Sequence, residues 1–379
     1  MAFQIFVKPV GGACNLRCDY CYYTEGNAGI SDNSVHVMTD DILETYIAAH
    51  LNEEDDDSVL FSWHGGEPLL AGIDFFKRVT DIQKSINRGR KRIINGIQTN
   101  GTLLTDLWGR FFKENSFIVG LSVDGPAQLH NSFRNSVNGS GSFSRVVRGW
   151  EILRRWNIPY EILCVVSSVN VNDPAGIYRF FTGRGAQHIT FLPLVEQTEG
   201  PVVSERSVNP WLWGRFLSQI FDIWKAEHSG TVRIQIFDEA IGAIMGREHS
   251  LCIFRPVCGE VPVVEADGSF YPCDHFVSPK YLSGNITADT LHSLLYGERQ
   301  LRFGAAKAEL PRYCLNCNVL SMCNGGCPRN RFSLTPEGEE GLNYLCEGYR
   351  IIFNHILPFA LSVKAISRGS GVGHQGKGG

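Results

Sequence analysis

Three cysteines near the start of the chain stand in Cys14-Asn15-Leu16-Arg17-Cys18-Asp19-Tyr20-Cys21. Three thiolates on one short loop can hold three irons of a cubane cluster and leave the fourth iron open to bind and reduce a small molecule. A zinc loop is the competing reading. Zinc loops favour paired Cys-x-x-Cys units closed by four ligands, however, and three thiolates leave zinc short. Eight more cysteines crowd the last third of the chain: Cys252, Cys258, Cys273, Cys314, Cys317, Cys323, Cys327 and Cys346. Eight thiolates suffice for two further clusters at four ligands each, or for zinc sites, and their number alone permits many partitions. Cys164 lies inside the apolar run Ile162-Leu163-Cys164-Val165-Val166 and reads as a core thiol.

Other groups able to do chemistry follow apolar runs. Trp63-His64-Gly65-Gly66-Glu67-Pro68 offers two glycines, which let backbone approach a ligand closely, and then a carboxylate. Gln98-Thr99-Asn100-Gly101 follows the next run, and Ser122-Val123-Asp124-Gly125-Pro126 the one after, with His130, Asn131 and Arg134 downstream. Leu192-Pro193-Leu194-Val195-Glu196 closes the series with an apolar stretch able to cover a flat ring.

The elements that must position these groups are legible from periodicity. Apolar and β-branched runs at 3–7, 59–63, 92–97, 117–123, 160–166 and 189–192 read as strands. Helical patterns at 39–51, 74–87, 105–113, 143–156 and 175–184 separate them, those at 39 and 105 starting on a threonine cap. This alternation predicts an α/β fold with a parallel sheet, and six units fit a partial (β/α)6 barrel better than a closed eight-stranded one. In such folds chemistry sits on the loops after the strands, where each group named above lies. Two more helices are expected at 211–228 and 237–247. From Cys252 onward cysteine, glycine and proline become dense and long periodic segments vanish; 263–271 reads as a hairpin around Asp267-Gly268. The expected organisation is a first domain over 1–247 with a helical linker from about 208, a small cysteine-rich domain over 248–366, and a disordered Gly-rich tail over 367–379.

The chain has 379 residues and a formal net charge of −4, so no basic footprint argues for nucleic acid. No run approaches the ~18 apolar residues of a membrane span. The start of the chain has no charged head before its short apolar run, so it reads as a first strand rather than a secretion signal. A cytoplasmic protein is expected, in which motif cysteines mean metal or catalysis before disulfides.

The CxxxCxxC spacing, with an aromatic residue before the last cysteine, resembles the radical S-adenosylmethionine (SAM) superfamily. That resemblance implies a [4Fe-4S] cluster on Cys14, Cys18 and Cys21 whose open iron chelates SAM and cleaves it to a 5′-deoxyadenosyl radical. It implies SAM contacts from Tyr20, from Gly65, Gly66 and Glu67 at the amino group, from Ser122, Asp124 and Arg134 at ribose and carboxylate, and from Val195 at adenine. The spacing Cys314-x2-Cys317-x5-Cys323-x3-Cys327 resembles the SPASM extension of that superfamily, which carries two auxiliary [4Fe-4S] clusters. By the same resemblance Cys252, Cys258, Cys273 and Cys327 hold one, and Cys314, Cys317, Cys323 and Cys346 the other, making three clusters in all.

Over roughly residues 3–360 the chain resembles the anaerobic sulfatase-maturating enzymes, notably in Tyr271-Pro272-Cys273-Asp274-His275-Phe276-Val277, Gly284-Asn285-Ile286 and Asn343-Tyr344. These oxidise a Cys or Ser in a C/S-x-P/A-x-R motif of a sulfatase to Cα-formylglycine. The resemblance implies Asp274 as the base that removes the thiol or hydroxyl proton, beside an auxiliary ligand that takes the electron, with Tyr23 and His64 as candidate peptide contacts. His64 departs from the Gln of some members. Expected partners are an unfolded or nascent sulfatase peptide and an electron donor such as flavodoxin or ferredoxin, with the enzyme a monomer. Two rivals are a SPASM enzyme that modifies another ribosomal peptide and a non-enzymatic cluster or zinc scaffold. The first commonly carries an N-terminal peptide-docking domain, for which a strand starting at residue 3 leaves no room. The second needs neither an open three-cysteine site nor the Gly-Gly-Glu-Pro loop.

Overall fold

The computed structural model describes residues 3–25, 35–53 and 56–370. Ten strands are assigned among them: β1 (Phe6–Val7), β2 (Ser58–Trp63), β3 (Arg92–Thr99), β4 (Phe117–Ser122), β5 (Tyr160–Val166), β6 (His188–Pro193), β7 (Arg233–Ile234), β8 (Val263–Val264), β9 (Ser269–Tyr271) and β10 (Gly284–Asn285). Contacts divide the chain into two compact units. One comprises Met1–Cys164 with Cys258–Ala306, the other Val165–Val257 with Lys307–Gly379.

In the first unit β1 to β5 lie side by side and parallel, in chain order. Parallel neighbours require a crossover, and the helices Asp40–Glu53, Ile73–Asn87, Asp106–Glu114 and Phe143–Arg155 supply them. Their apolar faces cover the sheet. Phe76, fully buried, meets Trp63 edge-on at 5.8 Å and Phe117 at 6.2 Å. Burial of a side chain of that size contributes about 1.5–3 kcal/mol. On its other edge β1 pairs in parallel with β8, and the hairpin β8–β9 carries β10 antiparallel beside it. The Asp267-Gly268 turn falls where expected, with Gly268 at φ 82°. Residues 3–5 extend the line of β1 only by backbone bonds such as Gln4 N–H to the Glu260 carbonyl at 2.9 Å, so the strand proper is shorter than the apolar run.

One polar cluster lies within this core. Asn95, in the middle of β3, accepts from the Trp63 indole at 2.9 Å and exchanges two amide hydrogen bonds with Gln83, both at 3.0 Å. All the strong donors and acceptors involved are satisfied, which is what permits their burial.

The second unit contains the parallel pair β6–β7 and three long helices, Pro210–Glu227, Gln235–Ile244 and Cys346–Ser370. The helices at 174 and 210 begin on Asp173-Pro174 and Asn209-Pro210. Each cap side chain accepts a backbone N–H, from Gly176 and Leu212 respectively, and proline occupies the first turn. Thr105, expected as a cap, holds the N-cap position without a side-chain bond. The 25-residue helix Cys346–Ser370 corrects the expectation that periodic structure ends with the cysteine-rich region. It is stabilised by the 210–227 helix, which it approaches so closely that a methyl group on Gly348 would meet the Pro210 carbonyl at 2.4 Å. Phe359 packs edge-on against Phe221 and Trp224. The helix includes 367–370, which the sequence pattern assigns to a tail; 371–379 lie outside the described residues. Among the described residues no helix is long and apolar enough to cross a membrane.

Replacing Asn95 by Ala leaves the Trp63 and Gln83 donors buried and unpaired. The expected loss is about 1–3 kcal/mol, read as a lower urea midpoint with little change in the slope of the transition.

Candidate active site

The loop after β1 carries Cys14, Cys18 and Cys21, and neighbouring loops of the first unit hold it. Gly66 N–H donates to the Gly11 carbonyl at 3.0 Å and Glu67 N–H to the Ala13 carbonyl at 2.9 Å. The two loops run so close that a methyl group on Gly66 would lie 2.2 Å from the Ala13 oxygen, and Gly65 sits at φ 109°. Both glycines therefore serve an approach to the cysteine loop itself. The Glu67 carboxylate is turned inward, fully buried, and accepts from Leu69 N–H at 3.0 Å, Asn100 N–H at 2.8 Å and the Thr99 hydroxyl at 2.8 Å. With these donors it ties the loop after β2 to the loop after β3. Asn100 continues the connection: its amide donates to Asn15 at 2.9 Å and lies 3.7 Å from Cys14 Sγ, while Asn15 donates to Thr102 at 2.8 Å.

A second group gathers around Asp124. One of its carboxylate oxygens, Oδ2, accepts from the Tyr20 hydroxyl and from Arg134 Nε at 2.8 Å. Arg134 also stands 5.5 Å from the centre of the Tyr20 ring, and its charge acts on Cys18. Tyr20, Asp124 and Arg134 are thus brought together beside the cysteine loop, and Ser122 is buried at the end of β4. His130 and Asn131 have structural partners instead. His130 is fully buried, its ring bonded to Asp124 N–H and to Ser142, and burial lowers it to about 4, so it is neutral. Asn131 accepts from Phe143 N–H at 3.0 Å. Val195 belongs to the second unit, where it is buried just after β6.

The third group centres on Asp274, one residue beyond Cys273. Oδ1 pairs with Lys8 Nζ at 2.7 Å; Oδ2 accepts from the Tyr22 hydroxyl at 2.5 Å and the Tyr23 hydroxyl at 2.7 Å. Lys8 is 2 % exposed, makes a second ion pair with Glu265 Oε1 at 2.7 Å, and lies 4.6 Å over the Tyr23 ring. Burial alone would raise the Asp274 carboxyl, but Lys8 and the Tyr22 hydroxyl bond outweigh it and hold it at about 2. Burial and the neighbouring carboxylate push both tyrosines well above 10.0, so they remain donors. His64 stacks on Phe6 at 3.7 Å and is lowered to about 4 by burial, hence neutral. Lys8, Glu265 and Tyr22 were not singled out from the sequence. The available signal was position: Lys8 and Glu265 each come directly after a strand, where β/α folds place chemistry.

Among the remaining cysteines, Cys258 and Cys273 lie in the first unit and Cys252 and Cys327 in the second. Cys314, Cys317, Cys323 and Cys346 all lie in the second unit. Burial and the fields of the other three raise Cys323 to about 12, and burial with Cys314 and Cys317 raises Cys346 to about 11. Asn343 fastens this region. Its amide donates to the Gly325 and Cys327 carbonyls at 3.2 and 3.1 Å, and its oxygen accepts from Leu345 N–H at 2.9 Å. Cys164 is fully buried, as a core thiol should be.

These thiol groups suit iron–sulfur clusters by their own chemistry. All twelve cysteines are free of disulfides. Cys14 is raised to about 12, chiefly by burial, with the charges of Cys18 and Cys21 adding to it. Iron bound at these thiols would supply the positive charge that favours their thiolate forms.

The residues match two family models: the radical SAM superfamily over residues 9–181 and an iron–sulfur cluster-binding domain, SPASM, over residues 257–318. A serine-type anaerobic sulfatase-maturating enzyme of Bacteroides thetaiotaomicron is 42% identical over 371 residues, covering 94% of this chain and 89% of its own. A cysteine-type enzyme of Clostridium perfringens is 34% identical, covering 95% and 98%. The solved structure of native anSMEcpe with bound AdoMet and Cp18Cys peptide superposes with a TM-score of 0.86 at 32% identity, covering 97% of this chain and 100% of that one. The chain belongs to the anaerobic sulfatase-maturating enzymes. As a member of that family it is a radical SAM enzyme with SPASM auxiliary clusters.

In this maturating enzyme the Glu67 tie has a pH signature. Burial raises the carboxyl from 4.5 to about 7 against the opposing bonds from Asn100, Leu69 and Thr99. The folded state therefore binds this proton more tightly than the unfolded one. The stability this group contributes is full below pH 4.5 and declines as pH rises to about 7, by about 3 kcal/mol. Glu67→Gln is expected to remove that decline, so the stability difference between wild type and variant should change with pH across this window and be flat above it.

Proposed function

We propose that the enzyme converts a Cys or Ser within a C/S-x-P/A-x-R motif of a sulfatase peptide to Cα-formylglycine, with Asp274 as the base. The observation that carries the residue assignment is the buried Asp274 carboxylate, adjacent to Cys273 and held by Lys8, Tyr22 and Tyr23. Cys14, Cys18 and Cys21 would hold the cluster that binds SAM. Tyr20, Gly65, Gly66, Glu67, Ser122, Asp124, Arg134 and Val195 would contact SAM, with the Glu67 side chain also holding its loop. Cys252, Cys258, Cys273 and Cys327 would hold one auxiliary cluster, and Cys314, Cys317, Cys323 and Cys346 the other. When bound, these groups supply hydrogen abstraction at the target Cβ and a destination for the electron left behind.

The chain's own residues have three tasks. The first is proton removal. A free thiol titrates near ~8.5, and a carboxyl held at about 2 is a weak base towards it. Transfer from the resting thiol would be uphill by about 9 kcal/mol. Asp274 is therefore suited to act only once the Cβ hydrogen has gone and the forming double bond to sulfur or oxygen has made the remaining proton acidic. The second task is orientation. Lys8 takes Oδ1 and leaves Oδ2 on the tyrosine side, where a peptide group that displaces a hydroxyl would meet it. The third is shielding: Tyr23 and the neutral, stacked His64 offer an apolar surface with hydroxyl or imidazole edges, and we assign them to peptide contact.

The same reading places the α/β domain at 1–247, the cluster-binding domain at 248–366 and a tail beyond. It assigns the enzyme to the cytoplasm as a monomer that receives electrons from a flavodoxin or ferredoxin.

The deciding test is anaerobic turnover of paired Ser and Cys sulfatase peptides with SAM and reductant, read by mass. Formylglycine appears as a loss of about 2 Da from the Ser peptide or about 18 Da from the Cys peptide. SAM cleavage with both peptides unchanged would defeat the assignment. Asp274→Asn is expected to reduce formylglycine formation on the order of 10²–10⁴-fold. It should still transfer deuterium from a Cβ-labelled peptide into 5′-deoxyadenosine. Lys8→Met is expected to show the same uncoupling, and Lys8→Arg to restore part of the yield.

A further inference from the structure

His249 and Glu239 both lie buried in the second unit, 8 % and 6 % exposed. Glu239 projects from the helix Gln235–Ile244 and accepts at both oxygens. Oε1 receives the Ser250 hydroxyl, the Ser250 N–H at 3.0 Å and the Leu251 N–H at 3.1 Å. Oε2 stands 2.8 Å from His249 Nδ1. On the other side of the ring, Nε2 stands 2.9 Å from the Ser321 carbonyl. Ser321 belongs to the short helix Leu320–Cys323, whose one titratable side chain is the Cys323 thiol. An ionised carboxylate and a carbonyl can only accept, so both ring nitrogens must donate, and only the imidazolium has two N–H groups. Burial would lower the imidazole, but the bonds to Glu239 and Ser321 outweigh it and raise it above 6.5. The charge of Lys307 opposes that rise, and Arg255 Nε donates to the His249 carbonyl at 2.7 Å rather than to the ring. Asn324, the residue after Cys323, donates to the Phe254 carbonyl at 2.6 Å. Of these two ties on the Cys323 segment, one depends on a proton and the other does not.

We propose that His249 is the positioning residue that clasps the helix bearing Cys323 to the helix Gln235–Ile244, and that this clasp makes retention of the second auxiliary cluster depend on pH. When the ring loses one proton, a lone pair faces either the carboxylate or the carbonyl, and one of the two bonds becomes a repulsion. The clasp is therefore complete below the ordinary histidine value and is lost as pH rises through the raised one. Protonation of thiolate ligands acts with the opposite sign, releasing iron as pH falls, so the direction of the effect identifies its source. The proposal rests on the assignment of Cys314, Cys317, Cys323 and Cys346 to one cluster under Proposed function.

The test is iron release to a chelator from the full chain, reconstituted anaerobically and followed from about pH 6 to about pH 9. Electron paramagnetic resonance after reduction identifies which cluster is lost. In the wild type the second auxiliary cluster is expected to be released about tenfold faster at the alkaline end, the worth of a hydrogen bond to a charged group. Glu239→Gln discriminates. Its amide oxygen can keep the Ser250 and Leu251 donors while its NH2 donates to a neutral His249, so release is expected to stay slow and to lose its rise with pH. A residue that only filled space would not be relieved in this way. His249→Gln, which has one amide for two acceptors, is expected to release the cluster fast at every pH. Nitrogen-15 histidine spectra of the wild type should show both His249 nitrogens protonated at about pH 6. A single protonated nitrogen there overturns the proposal, as does release that does not rise with pH in the wild type or that rises equally in Glu239→Gln. Cys323→Ala and Cys346→Ala are the control: each should remove the same resonance signal. If they remove different signals, the ligand assignment fails, an outcome separate from a wild-type rise that is absent.

Discussion

The buried contact between Lys8 and two carboxylates is the interaction on which the catalytic arrangement depends. Glu265 and Asp274 come from either side of the β8–β9 hairpin, and without a cation between them two negative groups would face each other away from water. Lys8 lies at the end of β1, one loop away from Cys14. A single ammonium therefore fixes the position of the hairpin relative to the cysteine loop and determines which oxygen of Asp274 remains for the tyrosines. Removing one partner of such a buried pair typically costs 3–5 kcal/mol, because the remaining charge is stranded. The arrangement is thus rigid because alternatives to it are expensive.

The loops after β1, β2 and β3 obey a related constraint. Each is a connection that could move independently, yet each borrows its neighbour's backbone. Glu67 spans the loops after β2 and β3, Asn100 reaches back to Asn15, and the peptide groups of Gly66 and Glu67 bond to Gly11 and Ala13. The glycines are required because the loops touch backbone to backbone, leaving no room for a side chain. A ligand entering this mouth meets groups whose positions are already set, and preorganisation of that kind is what radical chemistry demands of the protein.

How much of this was legible in the sequence differs by kind of feature. The cysteine spacings, the alternation of strands and helices and the Asp267-Gly268 hairpin are local patterns, and the β/α elements fall within a few residues of where periodicity put them. The 346–370 helix was missed because cysteine, glycine and proline on its N-terminal side masked the period of Ile352, Phe353, Ile356 and Ala360, which are buried in the structure. The direction of the Glu67 side chain was not legible, since it is decided by donors 32 and 33 positions away. The Lys8 partnership is more remote still, spanning 257 positions to Glu265. Sequence placed the chemistry at the loops after the strands. Which polar groups face the reaction and which hold the loops together depended on tertiary partners.

The placement of the cations separates these two roles. Arg134 pairs with Asp124 beside Cys18, Lys8 pairs with Asp274 beside Cys273, and Lys307 is caged by carbonyls beside Cys252. All three are nearly inaccessible, although lysine and arginine are among the residues least often buried. A chain whose formal net charge is −4 has thus placed part of its positive charge inside, next to thiols. The environments differ in what accompanies the charge. Arg134 is paired with one carboxylate and Lys8 with two, and both thereby orient the groups they hold. Lys307 donates to three backbone carbonyls of the turn that bears Cys252. The same kind of side chain thus holds different loops, and the partner, rather than the cation, determines which loop each buried charge secures.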